Sequence, residues 1–173
     1  QTSPTLAALY LDPETYSIAS SSVLRIGSNL TPVNQDIGIY SAIPVKNLIV
    51  DNTSGNDPVA QLWSLPLTVE EDLTIQAGAE FDANGYQLTI SGNLINSGTY
   101  TPNGNTTLFN GSGNQTITGN TTFYNLTKST ANTLSLADGN AEITVQNVLA
   151  FQDGTLRDSS NTVYVQGYCQ VDG

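Results

Sequence analysis

The chain has 173 residues, 38% of them apolar and only 11% charged, and its net charge of −11 sets 15 carboxylates against Arg25, Lys46, Lys128 and Arg157. Four scattered cations cannot neutralise a phosphate backbone or an anionic bilayer surface, which argues against nucleic acid and membrane-surface partners. With no His and a single cysteine, Cys169, the commonest general base, a cysteine-rich metal site and an intrachain disulfide are all missing.

No apolar run approaches the roughly 20 residues needed to span a bilayer. The opening Gln1-Thr-Ser-Pro4 is what a mature chain with its leader removed would show. Short, evenly spaced apolar clusters in a field of Asn, Gly, Thr and Ser indicate a folded chain rather than an acidic disordered one.

Taken in order, Thr5–Tyr10 is the one stretch where a helical turn competes, and Pro13 limits its length. We read Leu9, Leu11, Tyr16 and Ile18 as short strands around an Asp12-Pro13-Glu14 turn. Val23–Ile26 and Ile37–Tyr40 continue that style. From Val45 the pattern sharpens into Val45, Leu48 and Val50, then Leu62, Trp63, Leu65 and Leu67, and then Val69, Leu73 and Ile75. Phe81, Leu88, Ile90, Leu94, Ile95 and Tyr100 follow. Turn dipeptides separate these clusters: Ala77-Gly78, Asn84-Gly85, Ser91-Gly92, Ser97-Gly98 and Asn103-Gly104. Strands of about five residues between such signals predict an all-β fold, and the lack of βαβ alternation argues against doubly wound folds.

Internal repetition sets the architecture. Leu67–Gly78 aligns with Ile143–Gly154, Leu88–Gly92 with Val163–Gly167, and Gly98 with Gly173. Upstream, Asn47-Leu48 aligns with Asn125-Leu126, Gln35–Ile37 with Gln115–Ile117, and Leu24 with Leu108. These matches predict two units of about 78 residues, with boundaries at 23–106 and 107–173, preceded by a capping or first-coil segment at 1–22. Shorter spacings, Leu73 to Leu94 and Leu88 to Leu108, predict coils of about 20 residues with three short strands each. Such coils stack as parallel ladders about 4.8 Å apart, and eight or so give a rod roughly 40 Å long. A pair of β-sandwich domains is the alternative, with longer strands and fixed hairpins.

Phe109–Leu126 (Phe-Asn-Gly-Ser-Gly-Asn-Gln-Thr-Ile-Thr-Gly-Asn-Thr-Thr-Phe-Tyr-Asn-Leu) carries no charge and reads as two-residue strands with Phe109, Ile117, Phe123 and Leu126 inward. Together with Asp72-Leu-Thr-Ile75 and Phe81–Gly98, it resembles the repeats of large secreted surface proteins of Bacteroidota. These are exported by the type IX secretion system and include gliding-motility and biofilm adhesins. The resemblance covers Val45–Gly173. It implies a right-handed parallel β-helix, a secreted, cell-surface location, a long parent chain, and secretion-system and surface-anchoring proteins as partners. It carries over no active residues.

The chemistry-bearing residues are weighed against that expectation. Glu70, Glu71 and Asp72, with Glu80 and Asp82, are the carboxylates a glycosidase or lyase on a β-helix would use. Glu71 and Asp72 have Gln146, Asn147 and Val148 around their places in the second unit, and no cation lies beside them in sequence, so we expect no catalytic residue and no enzyme. Calcium is the cation that Glu70, Glu71, Asp72 and Asp82 would take, but they lack any known loop spacing, so a solvated acidic edge is expected, with no metal or cofactor. Trp63, Tyr86, Tyr100, Tyr124 and Tyr164 raise glycan stacking, with Tyr86 and Tyr124 at strand edges open to exposure, but such residues more often cap the core or shield coil ends, and that is the expectation. Cys169 aligns with Leu94 and is expected inside as a small hydrophobe. Thr116 with Thr118, and Thr99 with Thr101, have the spacing of an ice-binding face but do not recur at one interval. The expectation is a non-enzymatic extracellular structural or adhesive solenoid; the alternatives are a polysaccharide-binding or -degrading β-helix and a phage tail-fibre segment.

Overall fold

The computed structural model describes residues 9–137 and 141–172. The expectation of a helical turn or strand over Thr5–Ala8 and the match at Gly173 lie outside them. Every element among the described residues is a strand. In order they are β1 (Leu9–Leu11), β2 (Val23–Ile26), β3 (Asp36–Ser41), β4 (Asn47–Val50), β5 (Val59–Leu62), β6 (Leu67–Val69), β7 (Leu73–Ile75), β8 (Glu80–Asp82) and β9 (Leu88–Ile90). There follow β10 (Leu94–Asn96), β11 (Thr99–Thr101), β12 (Thr106–Phe109), β13 (Gln115–Thr118), β14 (Thr121–Leu136), β15 (Glu142–Arg157), β16 (Thr162–Val165) and β17 (Tyr168–Val171).

All pairings are parallel, and the chain winds as a β-solenoid of about seven turns, about 21 residues each. At ~4.8 Å per turn the stack is roughly 34 Å long, one turn shorter than the sequence spacing predicts. Each turn visits three faces. The first stacks β2, β4, β7, β10 and β13, followed by the last residues of β14 and β15. The second is a five-stranded sheet in the order β1, β3, β5, β8, β11. The third stacks β6, β9 and β12, the middle of β14 and of β15, and then β17.

The strands form because alternate residues point inward and stack on their equivalents one turn away. On the first face Leu24, Leu48, Leu73, Leu94, Ile117 and Leu136 make one column. On the third, Leu67, Leu88, Thr107, Leu126, Leu149 and Cys169 make another, and Val69, Ile90, Phe109, Lys128, Phe151 and Val171 a third. Phe109, Ile117, Phe123 and Leu126 are all buried, as the sequence predicts. Each such side chain contributes about 1.5–3 kcal/mol by leaving water. Corners are made locally. The Asn84-Gly85 and Asn103-Gly104 turns both take positive φ and sit one above the other, with Gly85 N–H donating to Pro102 O.

Several expectations are corrected by the register. Leu94 stacks on Leu73 as predicted, but Leu88 stacks on Thr107 rather than Leu108, which points outward beside Thr89. The 78-residue alignment matches strands on different faces: Leu67 lies on the third, while Ile143 pairs Thr121 and Val163 on the side continued by β16. Likewise Leu48 is on the first face and Leu126 on the third. Similar strands on adjacent faces use the same residue types because both alternate inward and outward, so sequence self-similarity alone does not distinguish a whole number of turns from about three turns and two-thirds. One core runs from Ile26 to Leu149, and β12 straddles position 106/107.

Strand lengths also differ from the sequence reading. Tyr16 and Ile18 are in no strand, and Thr121–Leu136 is not a set of two-residue strands but one strand of 16 residues. It passes all three faces, with register shifts at Phe123/Asn125, Lys128/Ser129 and Ser129/Thr133 taking the place of turns. Between β11 and β14 the second-face ladder stops: β11 is the last strand of its sheet.

Candidate functional site

The predicted acidic cluster is divided between two parts of the coil; Glu70, Asp72, Glu80 and Asp82 are engaged by neighbouring turns, while Glu71 is exposed. Glu70 Oε2 pairs with Lys46 Nζ at 2.7 Å, and hydrogen bonding to Glu70 is the main cause raising the lysine pKa. Asp72 Oδ1 accepts from Asn93 N at 2.7 Å and from Asn93 Nδ2 at 2.9 Å. On the second face, Glu80 Oε1 accepts from Thr101 Oγ1, while Asp82 accepts from Gln61, Asn103 and the Asn84 backbone. Among the described residues no three His, Cys, Asp or Glu side chains gather into a set that would hold a metal ion.

Asp72 belongs to a ladder that climbs the corner before the first face. Asn47 Oδ1 accepts from Asp72 N (3.3 Å), Asp72 Oδ1 from Asn93 N, and Asn93 Oδ1 from both Thr116 N (2.8 Å) and Thr116 Oγ1 (2.9 Å). Every step spans one turn. Each side chain satisfies a corner N–H that the β-ladder leaves unpaired, and an unpaired buried group would cost about 1–3 kcal/mol. A second series climbs the corner before the third face, where Asn147 Nδ2 donates to Asn125 Oδ1 and Asn125 Nδ2 to Thr106 Oγ1. At the ladder break beyond β11, Asn96 Nδ2 reaches Asn120 O (2.9 Å) and Thr121 Oγ1 (3.0 Å).

The aromatic residues divide in the same way. Tyr100 is buried in a stack with Phe81 and Phe123, and its hydroxyl meets Thr107 Oγ1 at 2.7 Å and Asn105 Nδ2 at 2.8 Å. Burial pushes its pKa well above the usual tyrosine value. Tyr86 packs against the core and Tyr124 is half-buried, the core-covering role rather than exposed stacking platforms. Trp63 lies over Gly38, with its ring carbon 3.4 Å from where a Cβ would stand. Tyr164 is exposed on β16, many turns away.

Cys169 is exposed, contrary to expectation. It stands in the column of Leu149 rather than that of Leu94, and no described coil stacks on it.

Two buried polar side chains were not singled out by sequence reasoning. Gln115 fills a first-face column below Leu134 and is fully engaged: Nε2 donates to Ile90 O and Gly92 O, and Oε1 accepts from Gly111 N. Lys128 stands between Phe109 and Phe151 in a third-face column, 1% exposed. Its Nζ donates to Thr130 Oγ1, which donates to Gly111 O. Burial pushes the Lys128 pKa down, partly opposed by the Asp153 charge. The spacing of Lys128 from Phe109 and Phe151 is the only sequence signal for this placement, and it is readable only once the turn length is known.

Arg25 and Asp51 pair at 2.5 Å near one end of the first face. Hydrogen bonds from Thr53, with Arg25 adding to them against the effect of burial, hold the Asp51 carboxyl below its usual range. In comparisons with known proteins, no family model, no curated protein and no solved structure matches the chain. The arrangement is chemically uniform: polar atoms tie one turn to the next, and the bonded carboxylates act as acceptors within the scaffold.

Proposed function

We propose that the chain is a non-enzymatic structural or adhesive segment, secreted and held at a cell surface, in which the solenoid acts as a stiff rod. The observation that carries this reading is the use of Asp72, Asn93, Asp82 and Asn96 as turn-to-turn hydrogen-bonding groups. In a solenoid held this way each turn contacts only its neighbours, so resistance to force is shared along the stack. The resemblance of Phe109–Leu126 to repeats of Bacteroidota surface proteins supports the location, and secretion and anchoring proteins are the partners that location requires.

The test is on cells and in solution. Antibody labelling and protease shaving of intact cells should find the chain outside, and glycan arrays should separate an adhesive surface from a passive stalk. Reducing-sugar release that is abolished by Glu71→Gln would overturn the non-enzymatic reading. A stable trimer by light scattering would instead favour a tail-fibre segment.

A further inference from the structure

The second-face ladder breaks in the middle of the stack, with described turns on both sides. β11 pairs with β8 below it and with no strand above. Thr99 N–H donates to Ala79 O, and Thr101 O accepts from Ala83 N, so both residues face β8. In a parallel strand the residue between them faces the other way, and the Tyr100 N–H and C=O therefore point at the turn above without meeting a strand. That turn opens with Thr121–Phe123 of β14, which pairs with Ile143–Val145 of β15 instead. The inward side of the gap is closed, because the Tyr100 and Phe123 rings meet across it at 5.6 Å. On the outside the two strands leave a cleft of about 190 Å³, lined by Thr99, Asn120, Thr121, Thr122, Glu142 and Thr144.

The polar groups of this cleft are used differently from those at the corners. Asn120 Oδ1 accepts from Glu142 N (2.8 Å) and Thr121 Oγ1 from Asn96 Nδ2 (3.0 Å), which holds the rim in place. The Thr99, Thr122 and Thr144 hydroxyls and the Glu142 carboxylate have no hydrogen-bond partner among the described residues. They lie on three successive turns, with Thr122 in register with Thr144. Asp72 and Asp82, by contrast, are engaged by neighbouring turns. The lining holds donors, acceptors and one carboxylate but no cation, so it repels acidic ligands and favours neutral groups that both donate and accept. A strand from another protein is excluded, since its inward side chains would need the space that the Tyr100 and Phe123 rings fill. The volume lies below the roughly 300 Å³ of pockets that take drug-sized ligands, which leaves room for one sugar ring.

We propose that this break in the ladder is a binding cleft for one neutral sugar residue of a polysaccharide. The sugar hydroxyls meet the Tyr100 N–H and C=O and the three threonine hydroxyls, and the Glu142 carboxylate accepts from them. The proposal rests on the adhesive form of the reading above and names the class of ligand that adhesion would use.

The experiment is an amide NMR titration of the full chain with neutral gluco-, manno- and galacto-oligosaccharides, and with oligogalacturonate as the acidic control. The amides of Tyr100, Thr122 and Thr144 should shift with at least one neutral sugar and not with the galacturonate. Glu142→Gln should weaken that binding by about tenfold. Thr122→Tyr, which sets a ring over the cleft, should abolish it. Both replace side chains outside the core, and thermal melts matching the wild type exclude a folding defect. Glu71→Gln, on a different corner, should bind as the wild type does. No shift with any neutral sugar, the result of a cleft that holds only water, overturns the proposal, and so does tighter binding of the galacturonate. Sugar binding that persists unchanged in Thr122→Tyr also overturns it, while leaving adhesion standing elsewhere on the rod. Purified chain and defined sugars make this outcome independent of where the chain resides, so the cell-surface reading holds or fails separately, on the labelling of intact cells.

Discussion

The turns from β4 to β13 and those made by β14 and β15 solve one problem in two ways. In the first region most strands are three or four residues long, and corners interrupt the ladder at every face. Polar side chains replace the missing backbone bonds there: Asp72, Asn93, Asp82 and Gln115 each bond across a turn. In the second region β14 and β15 pair along three faces, and bulges carry the chain round the corners. The core columns pass through both. Corner chemistry is therefore set by whether the backbone ladder survives the corner, not by what the core demands.

The sharpest way to break this comparison is at the seam. Phe123 is fully buried, tilted against Tyr100 (5.6 Å) and edge-on to Phe109 (6.5 Å), where the second-face ladder stops. Phe123→Ala should cost about 4 kcal/mol and split urea unfolding into two transitions, one per region, when followed by residue-resolved hydrogen exchange. A single transition at a lower midpoint would mean that the β12–β14 and β13–β14 ladders couple the regions without Phe123.

Gln115 and Lys128 allow a test of opposite sign. Gln115→Leu removes the side chain that meets Gly92 O and Gly111 N, while Ile90 O keeps its bond from Asn110 N, and should lower stability by about 2 kcal/mol in urea titration. Lys128→Met removes a buried ammonium and keeps the volume, so stability should stay level or rise by about 1 kcal/mol. If both substitutions destabilise equally, the ammonium is as well satisfied as the amide.

The same lysine sets a pH effect. Its folded pKa lies below the ordinary lysine value, so between the two the unfolded state binds more protons and stability rises with pH through that window. Thermal melts should show this alkaline gain in the wild type and not in Lys128→Met. Tyr100, whose pKa is raised, opposes the gain above about pH 10, where unfolded tyrosines ionise. The comparison is therefore between the two proteins at each pH.

The smallest effect expected is at Asp51. Its folded pKa is depressed, so the stability it contributes is present above the ordinary Asp value and lost as pH falls through the folded one. Asp51→Asn should flatten the acid side of the stability curve and leave the alkaline side unchanged.

Much of this was legible in the residues. Alternation around Leu73, Leu88 and Leu94, with Asn-Gly turns between, specifies short strands. The interval between Leu73 and Leu94 equals the real stacking step. The 78-residue repeat was a true similarity of strands and a false one of position, because three faces share one inward–outward code. The acidic run Glu70–Asp72 was visible, but its use was not: Asp72 serves Asn93, a residue one turn away that no local pattern points to.

By itself, then, the sequence determined that the chain is all-β, parallel and coiled, since apolar spacing and turn residues act over a few neighbouring positions. Tertiary structure alone decided which residues share a column, that Lys128 lies between two phenylalanines, and that Cys169 is uncovered. These depend on how many residues each corner consumes. A one-residue change in a corner rotates every later side chain in or out, and only the closed stack of turns selects among the registers.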